Sequence, residues 1–353
     1  MKLVLAVLVG LTATAPSLIA AERVSTVGTA RSEQSRLIVW GATDFEELRP
    51  AIDGFVQANA GVSVEYHDMQ SGDMYQAIRK APEAAPDLTI SSAADLQVKL
   101  VNDGLALEHR SAETERLPSW ANWRNQAFGI TIEPAVIVYS SKLAGERHLL
   151  RSRHDLIDLI RREAGALKGR LATYDIAASG VGYLFASHDS LHSSTFATLM
   201  KSFGEAGIRL YCCTAEMLDA IERGDALIGY NLLGSYALTR KNRGSPIEVV
   251  MPEDYTLLLQ RVAVVPRGAT HPKLGQLFLD YLLSAQGRAH LAARGMMATT
   301  GHAGEAVAQP AILPNSNVTV QPITLSPSLL VFLDPLKHDR FIKAWRALVV
   351  AKP

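Results

Sequence analysis

Hydrophobic and polar positions switch between two periods along most of the chain. Arg36-Leu-Ile-Val-Trp40 is a short apolar run closed by Gly41, the pattern of a buried strand. Thr43-Asp44 then offers an N-cap, Glu46 and Glu47 occupy a first helical turn, and Leu48, Ile52, Phe55 and Val56 recur at helical spacing. Residues 61–66 alternate as a second strand, 71–80 read as a helix, 87–92 as a third strand, and 93–102 as a helix stopped by Gly104. This β-α-β-α-β-α rhythm predicts a mostly parallel sheet with helices on its faces. Ligands of such sheets sit at the carboxyl ends of the strands, where Thr43-Asp44 and Ser91-Ser92 both fall.

A second α/β unit follows. Residues 129–139 are one long extended stretch with Pro134 in its middle, which predicts two strands joined by a crossing segment. A helix is predicted over 154–162 and a strand over 170–174. Ser179-Gly180-Val181-Gly182-Tyr183 opens another helix; a helix over 217–222, a strand over 226–230 and a turn into further helix at 231–236 come next. Residues 248–251 and 255–265 are extended and return the chain to the first unit. Residues 273–293 predict one long amphipathic helix, with Leu274, Leu277, Phe278, Tyr281 and Leu282 on one face. Residues 301–317 read as loop and 339–350 as a closing helix.

Composition narrows the function classes. The 353 residues carry 35 Lys+Arg against 35 Asp+Glu, so there is no bulk positive charge for a nucleic-acid partner. Apolar residues at 48% and charged residues at 20% describe a folded chain. Met1-Lys2, the apolar run 3–11 and Ala20-Ala21 before Glu22-Arg23 read as a signal peptide over 1–21, since nine apolar residues fall short of the ~20 a membrane span needs. No cysteine lies near the cut, so export without a lipid anchor is expected. Residues 22–35 are small and polar and read as a flexible leader.

Candidate chemistry is sparse. Ser179-Gly180, at a helix start, exposes backbone N–H groups that favour an anion, with a plain turn as the alternative. Ser91-Ser92 is a second such cluster or an N-cap. Tyr230, Asn231 and Ser235, after a strand, carry groups that orient a polar ligand or serve a strand end. His188 and His192 stand at i, i+4 without the Glu of a zinc-hydrolase motif. His148 and His154 lie among Arg147, Arg151 and Arg153, which reads as a solvated face. Glu133 and Asp175 are lone carboxylates, either hydroxyl acceptors or caps, and Arg261 is either a counter-ion or structural. The adjacent Cys212 and Cys213 read either as buried small residues or as a vicinal disulfide closed after export, a ring that would be strained. No nucleophile constellation is present, so no enzyme activity, cofactor or resident metal is expected.

Four stretches together carry a resemblance: residues 91–104 (SSAADLQVKLVNDG), 117–123 (LPSWANW), 227–236 (LIGYNLLGSY) and 271–284 (HPKLGQLFLDYLLS). In that order they resemble a bacterial extracellular solute-binding protein of an ABC transporter, in the branch that holds iron(III), phosphoglycerate and hexose-phosphate binders. The resemblance implies the two-lobe type 2 periplasmic-binding-protein fold, α/β in class, with the ligand cleft between lobes. It places lobe 1 at 36–133 and 251–353 and lobe 2 at 136–250. It implies a periplasmic protein that closes on a small anionic solute, phosphorylated or carboxylated, and delivers it to ABC permease subunits in the inner membrane. Thr43, Asp44, Ser91, Ser92, Ser179, Gly180, Tyr230, Asn231 and Ser235 are the residues expected at the ligand. The iron-binding members use adjacent tyrosines, and here Tyr230-Asn231 and Ser235-Tyr236 stand instead. Two other roles stay open: presentation of ligand to a sensor kinase, and iron(III) binding.

Overall fold

The structure, a computed structural model, describes residues 23–143, 150–192, 194–298 and 318–350. The signal-peptide call at 1–21, the loop call at 301–317 and His148 lie outside them. The first lobe opens with β1 (Arg23–Val27), β2 (Arg36–Gly41), α1 (Phe45–Ala58), β3 (Ser63–Asp68), α2 (Ser71–Lys80), β4 (Leu88–Ser91) and α3 (Ala94–Asn102), followed by β5 (Asn122–Trp123) and β6 (Ala127–Gly129). The long strand β7 (Thr131–Ser140) leads into the second lobe. That lobe contains α4 (Arg153–Arg162), α5 (Ala164–Leu167), β8 (Leu171–Tyr174), α6 (Gly180–His192), α7 (Phe196–Glu205), β9 (Arg209–Tyr211), α8 (Thr214–Arg223), β10 (Ile228–Leu233), α9 (Gly234–Asn242) and β11 (Ile247–Val250). The chain returns through β12 (Thr256–Leu259), β13 (Val262–Val264), α10 (Pro272–Leu283), α11 (Ala285–Ala292) and β14 (Met297–Ala298), and ends with β15 (Val320–Pro322) and α12 (Pro335–Val349).

The first sheet runs β1-β3-β2-β4-β13-β6-β5 and the second β15-β12-β7-β10-β8-β9, with β11 and β14 also on β7. Each sheet has a parallel stretch, β3-β2-β4 in the middle of one and β10-β8-β9 at one end of the other. The strands that cross between lobes pair antiparallel, β13 on β4 and β6, β7 on β10 and β12. The expected mostly parallel sheet is thus a mixed one. Most of its parallel pairs come from local β-α-β units; its antiparallel pairs come from the edge strand β1, the β5–β6 hairpin and the chain that crosses between lobes.

Four sequence expectations change. The extended stretch 129–139 does divide into two strands, but the break is at Ile130, whose N–H donates to Arg261 O, and not at Pro134. Pro134 sits inside β7, opposite Leu258 of β12, one residue before the pairing with β10 begins. A missing N–H is tolerated at such a change of partner. The helix expected over 273–293 is two helices, because Ser284 adopts extended backbone and its hydroxyl caps α11 by accepting from Gly287 N. Residues 23–27, read as flexible leader, form an edge strand in register with β3, Arg23 opposite Asp68 and Val27 opposite Val64. The C-terminal helix α12, assigned with lobe 1, packs on α7; Trp345 and Val349 are buried in the core of lobe 2 with Leu199 and Phe203. Its start is set by Asp334, which accepts from Lys337 N, with Pro335 at the first helical position.

Candidate functional site

A cleft runs between the lobes. From lobe 1 it is lined by residues after β2, β3 and β4 and at the starts of the helices that follow: Asp44, Asp68, Gln70, Ser71 and Ser92. From lobe 2 come Ser179 and Gly180 at the start of α6, Cys212 to Ala215 at the start of α8, and Leu233 and Tyr236 at the start of α9. The N-termini of α2, α6, α8 and α9 therefore open on one space, and each leaves backbone N–H groups without a partner inside its helix. Ser71, Ser92, Ser179 and Thr214 add hydroxyls, of which Ser71 pairs with Ser91 Oγ, Ser179 accepts from Gly182 N, and Thr214 pairs with the Tyr174 hydroxyl and accepts from Leu233 N. Among the described residues, no Lys or Arg lines this space.

The lobes touch across it. The Asp44 N–H donates to the Tyr236 hydroxyl at 3.2 Å. A Cβ built on Gly180 would lie 3.1 Å from both Ala93 Cβ and Ser71 Cβ, so glycine lets the two lobes approach here. Two carboxylates share the lobe 1 wall. Burial, then the neighbouring Asp44 charge, pushes the Asp68 carboxyl up to about 6.

Behind the cleft lies a buried charged hub at the crossing strands. Arg261 and Glu133 are both fully buried, with Arg261 Nε donating to Glu133 Oε1 at 2.7 Å and Nη2 to Oε2 at 3.2 Å. Arg261 Nη1 also donates to Thr43 Oγ1, Ser235 Oγ to Glu133 Oε2, and Thr131 Oγ1 to Glu133 Oε1 at 3.1 Å. Burial opposes the Arg261 charge, but the Glu133 carboxylate and surrounding phenols outweigh it and hold the pKa above its ordinary value. Arg261 and Glu133 are thus structural groups that tie lobe 1, the crossing strands and lobe 2 together.

The residues expected at the ligand divide into three sets. Asp44, Ser92, Ser179 and Gly180 line the cleft. Thr43, Ser91 and Ser235 lie just behind it: Thr43 and Ser235 belong to the hub, and Ser91 bonds Ser71 Oγ at 2.8 Å and accepts from Ala93 N at 3.0 Å. Tyr230 and Asn231 face away, into a buried network of lobe 2. Asn231 occupies left-handed backbone (φ 62°) at a bulge in β10, which turns its amide onto Asp189 at 2.7 Å. The Tyr230 hydroxyl accepts from Arg153 Nε at 2.6 Å and donates to Asp189 at 2.8 Å. Arg153, read as part of a solvated face, is 1% exposed and also holds Asp254 and the Tyr255 carbonyl. Asp175 caps a local turn by accepting from Ala177 N. His188 Nδ1 pairs with the Leu184 carbonyl at 2.9 Å, and the His192 side chain lies outside the described residues.

The sequence reading missed Asp68, Gln70, Ser71, Cys212, Cys213 and Thr214 as lining residues; Tyr236 lay in the 229–236 cluster whose phenols were candidates. Residues 68–71 carried a usable signal, a polar strand-to-helix turn of the same kind as Thr43-Asp44. Thr214 carried none, because α8 starts three residues before the helix expected at 217.

Residues 37–297 match the family model described as bacterial extracellular solute-binding protein. The chain belongs to this family. The substrate-binding protein of an ABC transporter from Agrobacterium tumefaciens is 35% identical, with 93% of this chain and 99% of that one covered at a TM-score of 0.86. Two solved structures are alike at 18% identity and show the fold. Iron-bound HitA from Pseudomonas aeruginosa has a TM-score of 0.68 over 89% of this chain and 99% of its own. AfuA from Actinobacillus pleuropneumoniae, with fructose-6-phosphate bound, has 0.71 over 89% and 98%. No curated protein matches in sequence. The protein is therefore a periplasmic-type solute-binding component of an ABC transport system, with the two-lobe fold of that family. No helix among the described residues is long and apolar enough to cross a membrane.

Proposed function

We propose that the cleft captures a small phosphorylated or carboxylated solute bearing hydroxyl groups, and that the closed protein delivers it to an ABC permease in the inner membrane. One observation carries the reading: four helix N-termini, with Ser71, Ser179 and Thr214 at three of them and Ser92 beside them, meet in a cleft that no Lys or Arg among the described residues lines. An anion held by N–H dipoles and hydroxyls is stabilised without a counter-ion. Asp44 and Asp68 then have a complementary task, accepting hydrogen bonds from the hydroxyls of the same solute, as in a sugar phosphate. The fructose-6-phosphate held by AfuA is a solute of this class.

Binding follows from shape. The solute enters an open cleft, bridges Ser71 and Ser92 on one side to Ser179 and Thr214 on the other, and stabilises the closed form by the contacts that only closure completes. Iron(III) is the competing cargo, since HitA holds it. The cleft offers it one phenol, Tyr236, while Tyr230 is committed to Arg153 and Asp189.

A thermal-shift panel on the mature protein tests the reading. Sugar phosphates, phosphoglycerate, di- and tricarboxylates and Fe(III) with and without a synergistic anion are compared. A true ligand at ~100 Kd adds about 2.7 kcal/mol, a shift of a few degrees. Shifts confined to the anionic organic compounds support the proposal. A shift and visible colour with Fe(III) alone overturn it.

A further inference from the structure

One wall of the cleft carries chemistry that solute capture does not use. Cys212 and Cys213 both line it, half-buried, with their Sγ atoms 2.7 Å apart and the Cys212 thiol directed at Cys213. Cys213 is the N-cap of α8. Glu216, one turn into that helix, brings a carboxylate oxygen within 4.8 Å of both sulfurs. The neighbouring Cys212 thiol and the Glu216 backbone N–H favour the Cys213 thiolate against the upward push of burial and of the Glu216 carboxylate. Cys213, at the N-cap of α8 with the free N–H groups of the helix start beside it, is the sulfur placed to attack, and Cys212 is the partner within reach of it.

We propose that Cys212–Cys213 is a reversible thiol–disulfide site in the wall of the solute cleft, oxidised by a disulfide oxidant. The Cys213 thiolate attacks one sulfur of the oxidant R–S–S–R, forming a mixed disulfide and expelling one thiolate. Cys212 then loses its proton to the Glu216 carboxylate or to water. Its sulfur attacks Cys213 Sγ and expels the second thiolate. Overall, two cysteine thiols and one disulfide give one Cys212–Cys213 disulfide and two small thiols. Neighbouring Cα atoms stand about 3.8 Å apart, short of the ~4.4–6.8 Å of ordinary disulfides. The eight-membered ring is therefore strained and readily reduced, which suits a switchable bond and not a structural one. Ring closure draws in the first turn of α8, whose Thr214 and Ala215 share the cleft wall. The chemistry stands apart from the identity of the solute; only the shielding of the pair by a bound solute rests on the proposal above.

Intact-mass measurement of the purified mature protein after exposure to oxidised glutathione is the test. The expected product has lost two hydrogens, keeps no glutathione, shows no thiol when unfolded, and regains two thiols with reductant. Two persistent thiols, or a stable glutathione adduct on the unaltered protein, overturn the proposal. Cys212→Ser leaves the α8 cap in place and is expected to stop at a stable glutathione adduct on Cys213; no adduct in that variant would also overturn it. A phosphorylated compound that raises the melting temperature is expected to slow the oxidation about fivefold or more. If no compound in the panel does so, the solute proposal fails while the mass result still decides the thiol site.

Discussion

The cleft wall and the buried network of lobe 2 are built from the same residue types and do opposite things. Each holds tyrosine and aspartate, and hydroxyl or amide groups beside them. Around Asp189, Arg153, Tyr230, Asn231 and Tyr255 all donate, so that both carboxylate oxygens are held and the cluster is closed to solvent. In the cleft, Ser92, Ser179 and the helix N-termini line a shared space, Ser179 Oγ accepting from Gly182 N, and among the described residues no Lys or Arg lines that space beside Asp44 and Asp68. Polar groups that satisfy one another hold a fold together. Polar groups left facing a cavity are available to a ligand.

The largest effect comes from breaking the closed cluster. Arg153→Met leaves Asp189 buried without its cation and is expected to cost about 3–5 kcal/mol in urea unfolding, while the folded fraction keeps its solute affinity. A loss of affinity with little loss of stability would merge the two regions. Asp95, in the first turn of α3 beside the interlobe seam, is the contrasting carboxylate. It accepts from Leu96 N, and burial pushes it up to about 7. Because the folded pKa is raised above its unfolded value, its stability contribution is fully present below about pH 4 and is lost as pH rises through 7. Asp95→Asn is therefore expected to be more stable than the parent at pH 8, on the order of 1–3 kcal/mol, with the difference vanishing near pH 4 in thermal melts. A constant difference across that range would contradict it.

The remaining predictions act on the cleft alone. Gly180→Val obstructs the approach of α6 to Ala93 and Ser71, so solute affinity is expected to fall at least about tenfold, ~1.4 kcal/mol, with the unliganded melting temperature nearly unchanged. Ser179→Ala removes one hydroxyl and is expected to weaken binding by roughly 3–10-fold, ~0.5–1.5 kcal/mol. Calorimetric titration reads both.

Much of the fold was legible because its signals are local. The apolar run 36–40, the cap at Asp44 and the stop at Gly104 each act within a few residues. The break at Ser284 was equally local but was hidden by apolar residues on both sides. The site was legible only where it coincided with a strand-to-helix turn, as at Ser92 and Ser179. Tyr230 and Asn231, expected just after a strand, lie inside β10, where a bulge turns them away from the cleft, and no periodicity encodes a bulge. Arg153 was misjudged because its partners, Asp189, Tyr230 and Asp254, lie 36 to 101 residues away. Cys212 and Cys213 looked like filler for the same reason, since only the packing of α8 at the lobe boundary brings them to the cleft.

The direct test of the central claim is one calorimetric comparison of the parent protein, Gly180→Val and Tyr230→Phe, using the phosphorylated compound with the largest thermal shift. Tyr230→Phe is expected to lose stability, about 1–3 kcal/mol from the groups it leaves unpaired, and to bind within about twofold of the parent, while Gly180→Val loses at least about tenfold. Unchanged binding in Gly180→Val together with lost binding in folded Tyr230→Phe would contradict the account and move the solute from the cleft to the network.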